Sequence, residues 1–494
     1  MTGKIPAAAG ENAKKGVWYG MERMDRITWP DTGEMPTVWE IARKIGAAGG
    51  RALLVGGCVR DRLLGAEPHD FDLEIFGLAP EAVRRALEPA FALENVGAAF
   101  GVFKVRHHEI DLALPRRENK VGRGHRGFLA AAEPELSFAE AAARRDLTVN
   151  AISCDPLTGE VVDPWNGRAD LAAGVLRHVG PAFVEDPLRV LRTMQFAARL
   201  GFRVDPATVV LCAAMEPEGL PRERLAGEWE KLLLQGRAPS LGLDFLRACG
   251  WVRYYPELAA LIGCEQTPAW HPEGDVWNHT LIACDRAAER RTGNRDDDLT
   301  VICAVLCHDF GKPAVSERRP DGRISCFNHE AAGAGPTRAF LRRLWNREAW
   351  IESVVRLVRE HMRPYDFGRD GASDRAYRKL AVRVGRLDLL AAVAEADALA
   401  RPPLPTDMSC YQRFRERARA LAVEQAPPEP LILGRHLIDR GLSPGPGFAP
   451  LLEKCYEAQL EGRFADLAGG LVYLDSVIAE FRQNDLQKKH SDLH

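Results

Sequence analysis

The sequence predicts a mixed domain of strands and helices, α/β or α+β, at the front of the chain and a long helical part behind it. From residue 36 to about residue 175, short β-rich runs such as RALLVGG and FDLEIFG alternate with helical stretches such as PEAVRRALEPAF. From about residue 183 onward, apolar residues recur near helical spacing. A chain of 494 residues is also too long for one core, which suggests about three or four domains.

Breaks rich in proline and glycine mark the candidate domain boundaries, near residues 264–275, 401–407 and 425–430. Residues 1–35 mix Gly, Ala, Lys and Pro without periodicity, so we expect a loose N-terminal extension there. The rest of the chain then divides into four predicted parts, at residues 36–180, 181–265, 270–400 and 401–494.

The composition is that of a soluble globular protein. Because the net charge is only −3, a nucleic-acid partner would have to be met by local basic patches. The sequence has no apolar run of about eighteen residues and no signal-peptide pattern, so it predicts a cytoplasmic protein without a membrane partner. The 11 cysteines contain no CxxC pair and are expected to be mostly buried thiols. Cys303 and Cys307 precede His308 at helical spacing, which favours a core position over a zinc site.

The stretch LLVGGCVRDRLLG, at residues 53–65, is typical of a strand, a Gly-Gly turn and a helix. Glycines in such a turn let backbone N–H groups approach a phosphate at the helix N-terminus. Gly57 is therefore a candidate phosphate contact, and Arg60 would add a fixed positive charge beside it.

Acidic residues follow on two predicted strands. In HDFDLEIFG, the strand period of two places Asp70, Asp72 and Glu74 on one face and the apolar residues on the other. Asp111 alternates with apolar residues in EIDLAL in the same way. Carboxylates about 7 Å apart along a strand can hold divalent cations, which indicates a two-metal nucleotidyl-transfer site. The alternative is a solvated acidic strand face.

GGCVRDRLLG followed by DFDLEIFG resembles the head of the class II tRNA nucleotidyltransferases, the CCA-adding enzymes, and of their relatives the bacterial poly(A) polymerases. Further motifs of the family follow in the same order: RRDLTVNAIS at 144–153, DPWNGRADL at 163–171, EDPLRVLRTMQFAARLGF at 185–202 and ERLAGEWEKLLL at 223–234. The resemblance covers about residues 50–240.

The resemblance implies a role for each matching residue. The implied catalytic acids are Asp70, Asp72 and Asp111, of which the first two would hold Mg²⁺ ions. The implied triphosphate contacts are Gly57, Arg60 and Arg145, and the residues implied near the ribose are Asp146 and Asn150.

The helix that opens with EDPLR corresponds to the family's protein template. Asp186 and Arg189 would pair with the base edge of the incoming CTP or ATP, and Arg192 would lie one turn on. The alternative is a purely structural role, because an aspartate directly before Pro187 is equally typical of an ordinary helix N-terminus. Gln195 departs from the family, since many relatives carry an arginine there, so we assign it no triphosphate contact.

Between the two groups of motifs lies PRRENKVGRGHRGF, residues 115–128, which is basic and rich in glycine. A flexible loop beside a triphosphate site could move as the template switches between bases, or contact tRNA phosphates. The alternative is a solvated surface loop.

A second constellation lies downstream, in the order H, HD, H, H, D: His279, His308 with Asp309, His329, His361 and Asp397. It resembles the HD phosphohydrolase superfamily over about residues 270–400. Mixed imidazole and carboxylate ligands suit Mn, Fe, Co or Ni better than Mg²⁺. The resemblance implies a metal-activated water that attacks a phosphoester, with Lys312 neutralising a phosphate oxygen and His271 a weaker candidate.

Together the two resemblances imply an α+β fold, with a polymerase β-type nucleotidyltransferase head on a small mixed sheet, followed by all-helical neck, HD and tail domains. HD domains fused to such heads are associated with 2′,3′-cyclic phosphodiesterase and phosphatase action. The tail would contact the tRNA backbone, or it is a plain packing pair of helices.

The sequence is compatible with three functions. The first is template-independent addition of CCA to tRNA 3′ ends from CTP and ATP. The second is narrower, a poly(A) polymerase or an enzyme that adds only CC or only A. The third is a phosphohydrolase that uses the head for RNA binding. The partners implied are tRNA, CTP and ATP, and the sequence makes no prediction of oligomeric state.

Overall fold

A computed structural model describes residues 25–97, 102–120 and 128–491. Residues 1–24 of the expected extension and residues 121–127 of the expected basic loop lie outside the described residues. The described residues form two compact units, which divide between Tyr254 and Tyr255.

The strands of the first unit are short, as the β-rich runs predicted. They are β1 (Arg51–Val55), β2 (Phe71–Phe76), β3 (Leu93–Gly97), β4 (Val102–Val105), β5 (Ile110–Ala113), β6 (Arg116–Lys120), β7 (Phe128–Ala132), β8 (Ser153–Cys154), β9 (Val161–Val162), β10 (Val175–Leu176) and β11 (Arg203–Val204). Strands β6 and β7 form a hairpin that flanks residues 121–127.

A mixed sheet of seven strands forms the centre of this unit, in the order β3-β4-β5-β2-β1-β8-β9. Among its described strands, β2 and β5 are the one parallel pair, and their register sets Asp72 beside Asp111. Phe71, Leu73 and Ile75 of β2 are buried, as the strand period predicted. The two acid-bearing strands are therefore immediate neighbours at the middle of the sheet.

The helices of the first unit are α1 (Met35–Ala47), α2 (Gly57–Leu63), α3 (Pro80–Leu87), α4 (Phe138–Ala143), α5 (Gly167–Ala173), α6 (Leu188–Leu200), α7 (Pro206–Ala213), α8 (Arg222–Glu230) and α9 (Pro239–Ala248). Short 3₁₀ turns lie at Thr148–Asn150, Pro181–Glu185 and Trp251–Tyr254, and a π-helical turn at Lys231–Gln235. Helix α6 packs against α8 and α9.

The start of the described chain lies against the sheet. Ile27 and Trp29 are buried, and the Trp29 indole N–H donates to Cys154 Sγ at 3.5 Å. Burial of these two apolar side chains holds residues 25–34 to the first unit, although this part of the sequence was expected to be loose.

The second unit is almost entirely helical. Its helices are α10 (Pro256–Ala259), α11 (Val276–Ala288), α12 (Arg295–Cys307), α13 (Lys312–Val315), α14 (His329–Ala332), α15 (Ala334–Leu344), α16 (Glu348–Glu360), α17 (Arg363–Asp370), α18 (Asp374–Val384), α19 (Leu387–Ala398), α20 (Ser409–Ala420), α21 (Gly434–Ile438), α22 (Phe448–Leu460) and α23 (Leu467–Ser491). A small hairpin joins β12 (Glu317–Arg318) to β13 (Ile324–Ser325).

Helix α12 is the core of the second unit and packs against α11, α16 and α19. Cys303 and Cys307 on it are fully buried, so they are core thiols as predicted, and Cys264 and Cys326 are the two cysteines that are not buried. No described helix combines the length and the apolar character needed to cross a bilayer.

Candidate active sites

The acids of the head meet on the parallel strand pair. Asp70 immediately precedes β2, and Asp72 lies beside Asp111 in the register of β2 and β5. Asp72 is accessible to solvent, but the surrounding pocket desolvates it. This desolvation and the negative charges of Asp111 and Asp70 raise the pKa of Asp72, although the positive charge of Arg145 partly lowers it. Closely spaced carboxylates that repel one another are a donor set suited to a hard divalent cation.

Glu74 shares the strand with these acids but is neutralised by arginine. Arg144 Nη2 donates to Glu74 Oε1 at 2.8 Å, and Arg145 Nη2 donates to Oε2 at 3.3 Å. Burial opposes the charged form, yet the two guanidinium groups lower the pKa of Glu74. Glu74 therefore holds Arg144 and Arg145 in place and is not available to a metal.

The Gly-Gly turn abuts the acids. Gly56 ends β1 with φ +74°, a conformation that favours glycine, and a Cβ there would lie 3.0 Å from Arg145 Nη1. Asp72 Oδ2 is 4.0 Å from the same Cβ position. The strained residue of the turn is thus Gly56, while Gly57 begins α2. The Gly56 backbone, the Arg145 guanidinium and the Asp72 carboxylate thus approach one another closely at this turn.

A largely buried chain of hydrogen bonds links four predicted nucleotide-binding residues. Arg60 Nη1 donates to Asn150 Oδ1 at 2.6 Å, and Asn150 Nδ2 donates to Asp146 Oδ1 at 3.0 Å. Arg192 Nε donates to Asp146 Oδ2 at 2.7 Å. Asp146 and Asn150, expected near the ribose, thus use their side chains to position Arg60 and Arg192.

The Asp146 carboxyl is expected to make unfolding pH-dependent. Despite burial, the Arg192 charge and hydrogen bonds lower the pKa of Asp146 to about 2, below the unfolded value of about 3.9. Its contribution, about 2 kcal/mol, is present above about pH 4 and is lost as the pH falls towards 2. The difference in denaturant midpoint between the wild type and Asp146→Asn should therefore narrow over this range.

Asp31→Asn, at an exposed acid, is the control and should show no such narrowing. A difference between the wild type and Asp146→Asn that stays constant from pH 5 to pH 2 would contradict the role of the Asp146–Arg192 pair.

Three arginines surround the ring of Phe196. The guanidinium carbons of Arg60, Arg192 and Arg199 lie 4.9, 5.5 and 5.6 Å from the ring centroid. Arg199 Nη1 donates to Gln195 Oε1 at 3.2 Å, and no described carboxylate forms an ion pair with Arg199. Gln195 thus positions Arg199, and the charge of Arg199 remains available to an anion.

The EDPLR segment differs in detail from the expected template geometry. Helix α6 begins at Leu188, so Asp186 lies in the turn before it, where its Oδ1 accepts the N–H of Leu188 at 3.0 Å. Asp186 Oδ2 accepts from Arg224 of α8 at 2.8 Å. Arg189 donates to the carbonyl groups of Ala182 and Arg144. The aspartate is held by Arg224, which the sequence analysis did not single out.

Almost all of these groups line one pocket of about 740 Å³. The predicted residues that line it are Gly57, Arg60, Asp70, Asp72, Arg145, Asp146, Asn150, Asp186, Arg189 and Arg192, while Asp111 lies beside Asp72 on the next strand. The pocket is also lined by titratable residues for which the sequence predicted no role. These are Asp61, Glu67, His69, Arg144, Arg199, Arg224 and Lys231.

The second unit brings the six residues of the H, HD, H, H, D pattern into one buried cluster, hereafter the histidine–aspartate cluster. His279 lies on α11, His308 and Asp309 follow α12, His329 begins α14, His361 follows α16, and Asp397 lies on α19. Side-chain caps begin the first two helices, because Asp275 accepts from the N–H of Asn278 and Asn294 accepts from the N–H groups of Asp296 and Asp297.

Backbone carbonyl groups set the orientation of three imidazoles. The Nδ1 atom of each ring lies against the carbonyl oxygen three residues earlier: His308 to Val305 at 2.6 Å, His329 to Cys326 at 2.9 Å and His361 to Val358 at 2.6 Å. A carbonyl only accepts, so each Nδ1 carries the proton and each Nε2 presents a lone pair to the cluster.

Buried atoms without hydrogen-bond partners indicate a metal site. Both carboxylate oxygens of Asp309 and Nε2 of His308 are buried without a hydrogen-bond partner, although Lys312 Nζ forms an ion pair at 2.7 Å from Asp309 Oδ2. His329 Nε2 and His361 Nε2 lie 3.3 Å apart. Two ligand sets, each within 4.8 Å, are His279 with His308 and Asp397, and Asp309 with His329 and His361. These donors fit one or two transition-metal ions.

Glu273 contacts two histidine side chains at the cluster, and the sequence did not predict this role. Its Oε1 lies 2.7 Å from His279 Nδ1 and 2.8 Å from His271 Nδ1, and its side chain is 1% exposed. Burial opposes ionisation, but the two hydrogen bonds lower the pKa of Glu273 to about 2. Burial disfavours a charged His279 ring, yet the Asp397 and Glu273 hydrogen bonds raise the pKa of His279 to about 9. His271 acts through Glu273.

The cluster opens into a pocket of about 260 Å³. Asp309, His329, His361 and Asp397 line its interior together with Lys312, whose Nζ also donates to Gln266 Oε1 at 2.7 Å. Arg401 lies on the wall. The pocket thus presents candidate metal ligands and two cationic side chains to solvent.

Two sequence families match the two units. Residues 52–177 match the Poly A polymerase head domain, and residues 276–401 match the HD domain. The first match contains the acids, the Gly-Gly turn and Asn150, and the second contains the six residues of the histidine–aspartate cluster.

The fold is similar to that of solved CCA-adding enzymes. For the Bacillus stearothermophilus CCA-adding enzyme in complex with CTP, the TM-score is 0.62 at 21% identity, covering 92% of this chain and 100% of that one. For the Thermotoga maritima CCA-adding enzyme complexed with tRNA, the TM-score is 0.55 at 18% identity, covering 94% and 98%. At these identities the likeness concerns the fold.

A relative matches along nearly its entire length. The Multifunctional CCA protein of Laribacter hongkongensis is 37% identical over 420 residues, covering 76% of this chain and 98% of the relative. The chain therefore belongs to the family of multifunctional CCA proteins, CCA-adding enzymes that carry an HD domain.

Proposed function

We propose that this chain adds CCA to the 3′ ends of tRNA from CTP and ATP, without a nucleic-acid template, in the head pocket. The observation that carries the proposal is the placement of Asp72 and Asp111 side by side on the parallel strand pair, with Asp70 adjacent, at an arginine-lined pocket of about 740 Å³. The Bacillus relative in complex with CTP and the Thermotoga relative complexed with tRNA support the choice of substrates.

In each addition, the tRNA 3′ oxygen bonds to the α-phosphorus of the nucleotide, and the bond to pyrophosphate breaks. Asp70, Asp72 and Asp111 would hold Mg²⁺, which when bound supplies Lewis-acid stabilisation of the phosphoryl oxygens and lowers the pKa of the attacking hydroxyl. The protein itself supplies positive charge for the triphosphate from Arg60, Arg145 and Arg199. Because these arginines are held by buried or half-buried hydrogen bonds, they need little reorganisation on binding.

Nucleotide choice is assigned to Asp186 and Arg189, which line the pocket as an acceptor and a forked donor. Arg224 holds Asp186, and backbone carbonyl groups hold Arg189. A base edge that replaces some of these contacts would be read by its own pattern of donors and acceptors.

Arg189→Ala should disturb the ratio of CTP to ATP incorporation more than it disturbs tRNA affinity. Loss of a bidentate base contact corresponds to about 1–3 kcal/mol of discrimination, or about 5- to 150-fold in kcat/KM ratio. Single-turnover incorporation of each nucleotide, measured beside tRNA binding, checks this. Arg203→Ala, at an exposed arginine on β11 outside the pocket, is the matched control. Equal slowing with both nucleotides would contradict a templating role.

The narrower alternatives are a poly(A) polymerase, an enzyme that adds only CC, and one that adds only A. Incubating the protein with tRNA that lacks its CCA end and with each nucleotide separately, then sequencing the products, distinguishes them. Full CCA ends from the mixture of CTP and ATP support the main proposal. Long A tails, or products that stop at CC, would replace it.

We also propose that the histidine–aspartate cluster hydrolyses phosphoesters, including 2′,3′-cyclic phosphates. A water oxygen bonds to phosphorus, the bond to one ribose oxygen breaks, and that oxygen takes up a proton. The cluster would hold Mn, Fe, Co or Ni, which when bound lowers the pKa of water. Lys312, whose Nζ lies beside Asp309 and donates to Gln266, would neutralise a phosphate oxygen. A protein that hydrolyses phosphoesters but adds no nucleotide would favour the head as an RNA-binding module.

The four-part division of the chain accompanies these proposals. A head at 36–180 and an HD domain at 270–400 are supported by the family matches at 52–177 and 276–401. The neck at 181–265 contributes the residues of α6 and α8 to the nucleotide pocket. The tail at 401–494 is proposed to contact the tRNA backbone.

A further inference from the structure

An exposed tryptophan stands at the mouth of the histidine–aspartate pocket. Trp270 is 65% exposed and lines the same pocket as Asp309, Lys312 and Asp397. Tryptophan is seldom left so open, because burial of its large apolar surface is favourable. The metal-ligating interior and the indole therefore form one continuous surface, part polar and part aromatic.

A pinned turn presents this indole. The N–H of Trp270 donates to the Thr267 carbonyl at 3.0 Å. The Thr267 hydroxyl accepts from the N–H of Ile324 at 2.9 Å and donates to the Ile324 carbonyl at 3.1 Å, which ties the turn to β13. The next residue, His271, is bonded to Glu273 beneath the cluster. Hydrogen bonds of Thr267 before Trp270 and of His271 after it thus hold the backbone of this turn in place beside the cluster.

The volume of the pocket decides which part of a ligand reaches the tryptophan. At about 260 Å³ the pocket is slightly smaller than the roughly 300–1,000 Å³ typical of sites for drug-sized ligands. A phosphate held at Lys312 and its attached sugar would occupy most of that space. A base attached to the sugar would then project to the mouth, where the Trp270 side chain is exposed.

We propose that Trp270 is the base-stacking platform of this second site, so that a base attached to the phosphoester contributes to binding there. The inference rests on the proposed phosphohydrolase activity and names the residue that contacts the base. Stacking on an aromatic side chain tolerates any base, which suits a site that acts on RNA ends of varied sequence.

The test compares hydrolysis of adenosine 2′,3′-cyclic phosphate with that of glycerol 1,2-cyclic phosphate, which has the same five-membered ring and no base. With the metal-loaded full chain, Trp270→Ala should raise KM for the adenosine substrate by about 5- to 150-fold, with little effect on the glycerol substrate. Trp270→Phe should restore most of the affinity. Phe327→Ala, at an aromatic that is 84% exposed and does not line the pocket, is the matched control.

The possible outcomes distinguish a failure of the base-stacking role from a failure of the proposed phosphohydrolase activity. If the wild type hydrolyses neither substrate, the proposed phosphohydrolase activity fails. If the wild type hydrolyses both and Trp270→Ala changes KM equally for both, the site is active but the base platform is refuted. If Trp270→Ala acts on the adenosine substrate through kcat alone, the tryptophan positions the cluster and does not stack on the base.

Discussion

Asp72→Asn should reduce nucleotide addition by at least about 10³-fold while leaving phosphoester hydrolysis unchanged. The substitution removes the negative charge of Asp72, which lies close to the charges of Asp111 and Asp70. The shape of the side chain hardly changes. Lewis-acid stabilisation at such a site contributes several kcal/mol, and each 1.36 kcal/mol is tenfold in rate. Extension of a tRNA that lacks its CCA end, with labelled CTP and ATP, measures the loss.

Glu94→Gln is the matched control, since Glu94 is an exposed acid on β3 of the same sheet that pairs with Arg106 outside the pocket. It should keep full activity. The double variant Asp70→Asn with Asp72→Asn should be inactive with both nucleotides. Measurable CCA addition by the double variant would overturn the metal assignment in the head.

His308→Ala should abolish phosphoester hydrolysis and lower bound transition metal, while nucleotide addition continues at the wild-type rate. His308 Nε2 is buried without a hydrogen-bond partner beside Asp309, and its Nδ1 is tied to Val305. Removal of a ligand held in this way leaves an incomplete coordination shell. Elemental analysis of the purified protein and hydrolysis of a cyclic nucleotide give two separate readouts.

Cys307→Ala is the matched control, because Cys307 is the fully buried neighbour of His308 and contributes no ligand atom to the cluster. It should retain both metal and hydrolysis. Retained nucleotide addition in His308→Ala shows that the chain is folded. Unchanged metal content in His308→Ala would remove this histidine from the ligand set.

The mixture of strands and helices in the first half and the helical second half were predictable because strand and helix periods are local properties of the sequence. The α+β class and the mixed sheet were implied by the family resemblance. The alternation in DFDLEIF and EIDLAL also identified Asp72 and Asp111. Their side-by-side placement required the register of β2 with β5. That register depends on the whole sheet, in which both strands are buried on one face.

Other features depended on contacts between distant parts of the chain. Arg224 holds Asp186 across 38 residues, and nothing in either motif indicates that they meet. Glu74 has the same strand position as the acids before it, yet Arg144 and Arg145 neutralise it. Asp146 and Asn150 were assigned to the ribose by resemblance, whereas their hydrogen bonds run to Arg192 and Arg60. Partner choice among polar side chains is a tertiary property.

The sequence by itself determined the chemical types at both sites, namely carboxylates beside a Gly-Gly turn, and histidines with aspartates in a characteristic order. Residue type and local spacing suffice for the carboxylates and the Gly-Gly turn, which lie within single strands and a flanking turn. For the histidines and aspartates, which are spread over five helices, their order along the chain suffices. The tertiary structure decided which groups remain available for ligands. Pairing with Arg144 and Arg145 makes Glu74 unavailable to a ligand, whereas no described carboxylate forms an ion pair with Arg199. Close packing of five helices leaves the Asp309 carboxylate oxygens and His308 Nε2 without hydrogen-bond partners. Burial and long-range pairing set these states, and neither is encoded in a short stretch of chain.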